Sequence, residues 1–101
     1  MRRMLEKLTL RDFFERVGER FRVVGPDAPV VLALVEAIDL SRPGAPGSRR
    51  SPFSLVFRGP LSPVMPQHTY PLEHPALGRL EIFLVPIGPD ASGMRYEAVF
   101  N

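Results

Sequence analysis

Across residues 9–17 the apolar positions Leu10, Phe13, Phe14 and Val17 fall at i, i+3, i+4 and i+7, the repeat that turns one stripe of a helix toward a core. Thr9 can cap that helix with Asp12 three residues on, Gly18 ends it, and Arg11, Asp12, Glu15 and Arg16 take the wet face. From Glu19 onward the period changes to two or to short apolar runs. The chain therefore predicts six strands, over 20–24, 30–38, 53–58, 68–74, 79–86 and 94–100, separated by turn-forming residues. The last two, with Gly, Pro and Asp between them, read as a hairpin, and because the chain stops there its function is expected on surface loops.

The apolar content of each strand predicts which faces are covered. In 30–38, Val30, Leu32, Leu34 and Ile38 are opposed by Val31, Ala33, Val35 and Ala37, and in 79–86, Leu80, Ile82 and Leu84 are opposed by Phe83 and Val85. Both strands are expected to be buried on two sides. In 53–58 and 94–100, Phe53, Leu55 and Phe57 alternate with Ser54, Val56 and Arg58, and Tyr96, Ala98 and Phe100 with Arg95, Glu97 and Val99, so these are expected to be wet on one side. Pro71 lacks a ladder donor and predicts an edge or bulged strand. No crossover helix separates the strands, which favours antiparallel neighbours. The fold class is mainly β (α+β): a six-stranded antiparallel meander forming a small barrel or sandwich, with the N-terminal helix plugging or covering one side. One domain is expected, with the helix at 9–17, a β-rich body at 19–101 and a basic loop at 39–52.

Composition narrows the function classes. The chain has 101 residues, 45% of them hydrophobic, enough for one core without metal or disulfide support. The absence of cysteine removes thiolate nucleophiles, cysteine-based zinc sites and disulfides. The N-terminus is charged in every short window, unlike a secretory signal or a membrane span, so a soluble protein is expected, with the cytoplasm as the default compartment. Twelve of the thirteen basic residues are Arg, yet the net charge is only +2. That excess does not by itself point to nucleic acid, which requires a clustered basic face.

Candidate chemistry is sparse. His68, Glu73 and His74 form the only local group resembling metal ligands or an acid/base pair, but six strand residues separate the two imidazoles by about 20 Å. No metal and no cofactor are expected, and His74, followed by Pro75, reads as a turn residue whose imidazole bonds nearby backbone. The loop 39–52 carries Arg42, Arg49 and Arg50 and is suited to phosphate, an acidic partner surface or single-stranded nucleic acid. A solvated hairpin loop is the plainer reading. Pro60, Pro63 and Pro66 repeat at three-residue spacing, as in polyproline II, and between them Val64 and Met65 either stand proud as a partner contact or pack back on the barrel. Asp90 and Ser92 lie in a hairpin turn with too few carboxylates for calcium.

Several stretches resemble a bacterial family of small uncharacterised proteins, a domain of unknown function. They are M-L-E-K-L-T-L-R-D-F at 4–13, V-G-E-R-F at 17–21, P-F-S-L-V-F-R-G-P at 52–60, Y-P-L-E-H-P-A-L-G at 70–78, L-V-P-I-G-P-D at 84–90 and M-R-Y-E-A-V-F-N at 94–101. The resemblance carries no activity and no catalytic residue, and implies an association with phage-tail-like or collar-like proteins. The leading expectation is a non-enzymatic module that binds another protein or itself through the 42–50 loop and the 60–66 segment. The alternative is a barrel that binds single-stranded nucleic acid or a small anion, with Arg49, Arg50 and Arg58 on its basic side and Phe53 or Tyr70 as stacking platforms.

Overall fold

The computed structural model describes residues 8–25, 30–41 and 51–101. Helix α1 spans Leu10–Phe14, and the Asp12 carboxylate accepts the Thr9 N–H at 2.8 Å, capping it as the sequence predicts. The helix is shorter than 9–17. Beyond Phe14 the chain continues in tighter turns, with the Arg16 and Val17 amides donating to the Phe13 and Phe14 carbonyls at 2.8 and 3.4 Å. The inward stripe is narrow: Phe13 is fully buried, whereas Phe14, next to it on α1, and Val17, aligned with Phe14 at i+3 in the tighter turns, point outward, 63% and 43% exposed. Of the four apolar residues expected on the core face, Phe14 and Val17 are therefore on the wrong side.

Six strands follow: β1 Arg20–Val23, β2 Val30–Asp39, β3 Phe53–Gly59, β4 His68–His74, β5 Gly78–Asp90 and β6 Gly93–Phe100. All pair antiparallel in a closed barrel of order β1-β2-β3-β6-β5-β4. Two long strands turn the corners. The first part of β2 pairs with β1 and the remainder with β3, while β5 passes from β4 to β6 after Leu84, and irregularities at Leu34/Glu36 and Pro86/Gly88 accompany the bends. This is the barrel of the two expected alternatives.

Its interior is filled by Phe21, Leu32, Leu34, Leu55, Phe57, Leu72, Leu80, Ile82, Leu84 and Tyr96. The ring of Phe13 lies 5.8 Å from Phe53 and 5.6 Å from Phe100, so α1 plugs the barrel as expected. The connector between β3 and β4 brings in Met65, which is buried and whose amide donates to the Tyr96 hydroxyl at 2.9 Å.

Closure redistributes the faces predicted for individual strands. A barrel wall has one inner and one outer side, so β2 and β5 are not covered twice: Val31 is 46% and Phe83 49% exposed. Conversely β3 is the strand with both sides hidden, Ser54 and Val56 included. Pro71 is neither at a bulge nor on a free sheet edge. Its carbonyl accepts the Val24 amide at 2.8 Å, where the β1–β4 ladder ends, so its missing donor falls beyond the last pair of that ladder. Among the described residues no helix is long and apolar enough to cross a membrane.

Candidate functional site

His74 closes β4 and lies almost wholly inside the wall. Its Nδ1 accepts the amides of Ala76 and Leu77 at 3.0 and 3.2 Å, and its Nε2 lies 2.6 Å from Glu19 Oε1. Since Nδ1 is an acceptor twice over, Nε2 carries the proton and donates it to Glu19. The imidazole also packs on Phe21, ring centroids 4.7 Å apart. The turn reading of this histidine is correct, and the structure adds the carboxylate that sequence had no means to place. Both ring nitrogens are engaged, which leaves no lone pair for a substrate.

Above this pair the wall opens. The β1–β4 ladder has only Arg22↔Glu73 and Val23↔Leu72, and no register pair joins the backbone of Arg20 and Phe21 to that of His74 and Pro75. The resulting cleft, about 510 Å³, is lined by Arg20, Phe21, Arg22, Val31, Glu73, His74, Pro75, Gly78 and Arg79. A second hollow shares Arg20, His74 and Pro75 and reaches Arg16, Gly18 and Glu19. Alternation along β1 and β5 carries the arginines to the outer side: Arg20 and Arg22 flank the buried Phe21, and Arg79 precedes the buried Leu80. Across the strands Arg22, Glu73 and Arg79 form one register row.

The charges do not cancel. Arg22 bonds Glu73, and Glu19 serves His74 with Arg16 Nη1 3.8 Å away. Among the described residues Arg20 and Arg79 have no ion-pair partner, and both are exposed. Four guanidinium groups against two carboxylates leave an excess of two positive charges around the opening. Such a site can hold a carboxylate or phosphate by charge-assisted, bidentate hydrogen bonds. Among the described residues no serine, threonine, cysteine or tyrosine lines the cleft to act as a nucleophile.

The residues singled out from sequence do not converge here, apart from Glu73 and His74. Arg42, Arg49 and Arg50 lie outside the described residues. Arg58 is on the outer side of β3, where its Nε and Nη2 grip the Asp90 carboxylate at 2.5–3.1 Å. That arginine and the Ser92 amide hold Asp90 below the usual carboxylate range, and the Asp90 side chain caps its own turn by accepting the Ser92 and Gly93 amides. Val64 is 48% exposed on the connector, whereas Met65 takes the packed-back alternative. Phe53 is fully buried and cannot be a stacking platform. Tyr70 faces partly inward, its hydroxyl donating to the Pro66 carbonyl and its pKa pushed up chiefly by burial. His68 stands edge-on to Tyr70 at the far end of β4 from His74. Among the described residues no three or more His, Cys, Asp or Glu are grouped to hold a metal ion.

Sequence reading missed Glu19, Arg20, Arg22 and Arg79. Each is one polar residue at an alternating strand position or a turn, and their meeting depends on closure of β1 against β4. The one available signal was the pair Arg20 and Arg22, two cations on one face of a four-residue strand.

Searches of curated proteins and of solved structures gave no match. A family described as a domain of unknown function, DUF6916, matches residues 8–100, all but a few residues of the chain. The resemblance noted in the sequence thus rests on the whole barrel and its helical plug, and the chain belongs to this DUF6916 family of domains of unknown function.

Proposed function

We propose that this barrel is a binding module, not a catalyst, and that it captures an acidic segment of a protein in the cleft at the β1–β4 seam. The observation that carries the reading is the pair of exposed arginines, Arg20 and Arg79, on either side of an opening with an excess of positive charge. An extended segment bearing Asp or Glu places carboxylates at the cleft while its backbone stays in water. Single-stranded nucleic acid is less well supported, because Phe53 is buried and the Tyr70 ring packs against the core beside His68. Catalysis is not supported, because both nitrogens of His74 are committed to the fold. The resemblance adds the expectation that the partner belongs to a phage-tail-like assembly.

The test is fluorescence anisotropy with a labelled Asp/Glu-rich peptide and a Gln/Asn-rich counterpart. Binding of the acidic peptide alone is expected, weakening as salt screens the charges. Arg20→Ala combined with Arg79→Ala is expected to reduce affinity about tenfold, from loss of two solvent-exposed charged contacts at roughly 0.5–1 kcal/mol each. Arg95→Ala, on the outer side of β6, is the control. Absence of binding at low salt, or equal binding by the double variant, refutes the assignment.

A further inference from the structure

The second hollow holds an arginine whose hydrogen-bonding capacity is unspent. Arg16 follows α1, and its side chain as a whole is 32% exposed. Its Nε is nevertheless buried in the wall without an acceptor, and among the described residues its guanidinium makes no hydrogen bond. Its ion-pair contact is with Glu19, 3.8 Å from Nη1 and beyond hydrogen-bond reach, and Glu19 Oε1 already accepts the Nε2–H of His74 at 2.6 Å. Buried N–H groups are nearly always paired, so an unpaired one beside an open hollow suits an acceptor supplied from outside.

Arg20 ties this hollow to the cleft. The Val24 amide donates to the Pro71 carbonyl, and alternation along β1 turns the backbones of Arg22 and Arg20 the same way, toward β4. Arg22 meets Glu73 there, but the residue next in register, opposite Arg20, is Pro75, which has no N–H to give. The ladder stops at that point, and Arg20, His74 and Pro75 line both openings. Arg22 is held by Glu73, whereas Arg20 has no ion-pair partner among the described residues. The second hollow is thus lined by two cations, Arg16 and Arg20, against one carboxylate, which serves the imidazole.

We infer that the second hollow is a second anion subsite, and that the segment taken at the seam carries two acidic side chains, one held between Arg20 and Arg79 and the other by Arg16 with Arg20. This inference rests on the acidic-segment reading of the cleft and makes it more selective, because a lone Asp or Glu fills half of the site. Alternate side chains of an extended segment fall on one face, so acids at i and i+2 are the shortest arrangement that offers both carboxylates to the adjoining openings. Arg16 is then a specificity-determining residue: it separates two acids from one, while Arg79 serves either.

The experiment is fluorescence anisotropy on the full chain at about 0.15 M salt, where long-range attraction is screened. Two labelled peptides of identical composition and net charge are compared, one with Asp at i and i+2, the other with the same two Asp at opposite ends. The paired peptide is expected to bind the wild type about threefold more tightly, the gain from one further partly exposed ion contact. Arg16→Gln is expected to remove that preference with little change for the split peptide, and Arg79→Gln to weaken both. Circular dichroism melts establish that the variants are folded. A readout that needs no variant is the Arg16 Nε–H resonance in NMR spectra of nitrogen-labelled wild type, which should shift with the paired peptide and not with the split one. Equal affinities of the two peptides, a preference that survives Arg16→Gln, or a resonance unmoved by the paired peptide overturns the inference. Binding that has no pair preference but is weakened by Arg79→Gln leaves the cleft reading standing and removes only the second subsite, whereas binding of neither peptide overturns both.

Discussion

Replacing Phe13 with Ala tests the helical plug directly. The side chain is fully buried, with its ring 5.8 Å from Phe53 and 5.6 Å from Phe100, which are themselves stacked at 4.7 Å. Removing about 150 Å² of buried aromatic surface at roughly 25 cal/mol/Å² costs about 4 kcal/mol, in line with about 3–5 kcal/mol for Phe→Ala in cores. That is a large share of the ~5–15 kcal/mol stability of an ordinary domain. At about 4–8 °C per kcal/mol for a chain of this size, the melting temperature should fall by roughly 16–32 °C. Phe14→Ala is the paired control: the neighbouring ring is 63% exposed, and its loss should stay within about 0.5 kcal/mol. Urea titrations followed by circular dichroism read both values. The i, i+3, i+4, i+7 pattern predicts similar losses at the two positions, whereas their burial predicts very different ones. A Phe13→Ala loss below about 1.5 kcal/mol, or a Phe14→Ala loss equal to it, refutes the plug.

Tyr96→Phe leaves the Met65 amide without its acceptor at a buried site and should cost about 1–3 kcal/mol by urea titration, with the barrel otherwise intact. Asp90 gives a pH signature. Its pKa is held below the ordinary 3.8, first by the hydrogen bond from Arg58, so the stability it contributes is complete above that value and is lost as pH falls through its lowered folded-state pKa. The stability gap between wild type and Asp90→Asn should therefore be widest above pH 3.8 and shrink as the solution is acidified further. A gap that stays constant through that range would sink the claim that Arg58 holds the carboxylate ionised.

The strand positions were legible because alternation and turn residues are local properties: β4 begins and ends where the pattern puts it, and β3 and β6 differ from the expectation by one residue at one end. Which sides are covered was not legible. Val31 and Phe83 look like core residues because they are apolar, but only the ring of neighbours decides that they point outward. The helix failed for a related reason: an apolar residue at i+4 looks like core, but α1 sets Phe13 fully inward and leaves Phe14 and Val17 largely in water. The site was hidden most of all. His74 and Glu19 are 55 positions apart, and the outer arginines of β1 and β5 carry no local mark that separates them from ordinary wet-face residues.

The seam between β1 and β4 also sets how the barrel breathes. Two register pairs join those strands, against four or more on every other ladder, and only the Val24 amide bond to Pro71 extends the join. Opening there costs the fewest backbone bonds, so amide hydrogen exchange should be fastest at Val24 and along β1, through an excursion short of global unfolding. A molecule that spans Arg20 and Arg79 bridges β1 to β5 across the intervening β4 and clasps that joint. Occupancy of the cleft is then readable as slower exchange in β1 and a higher melting temperature, which makes the weakest hinge of the fold its own reporter of binding.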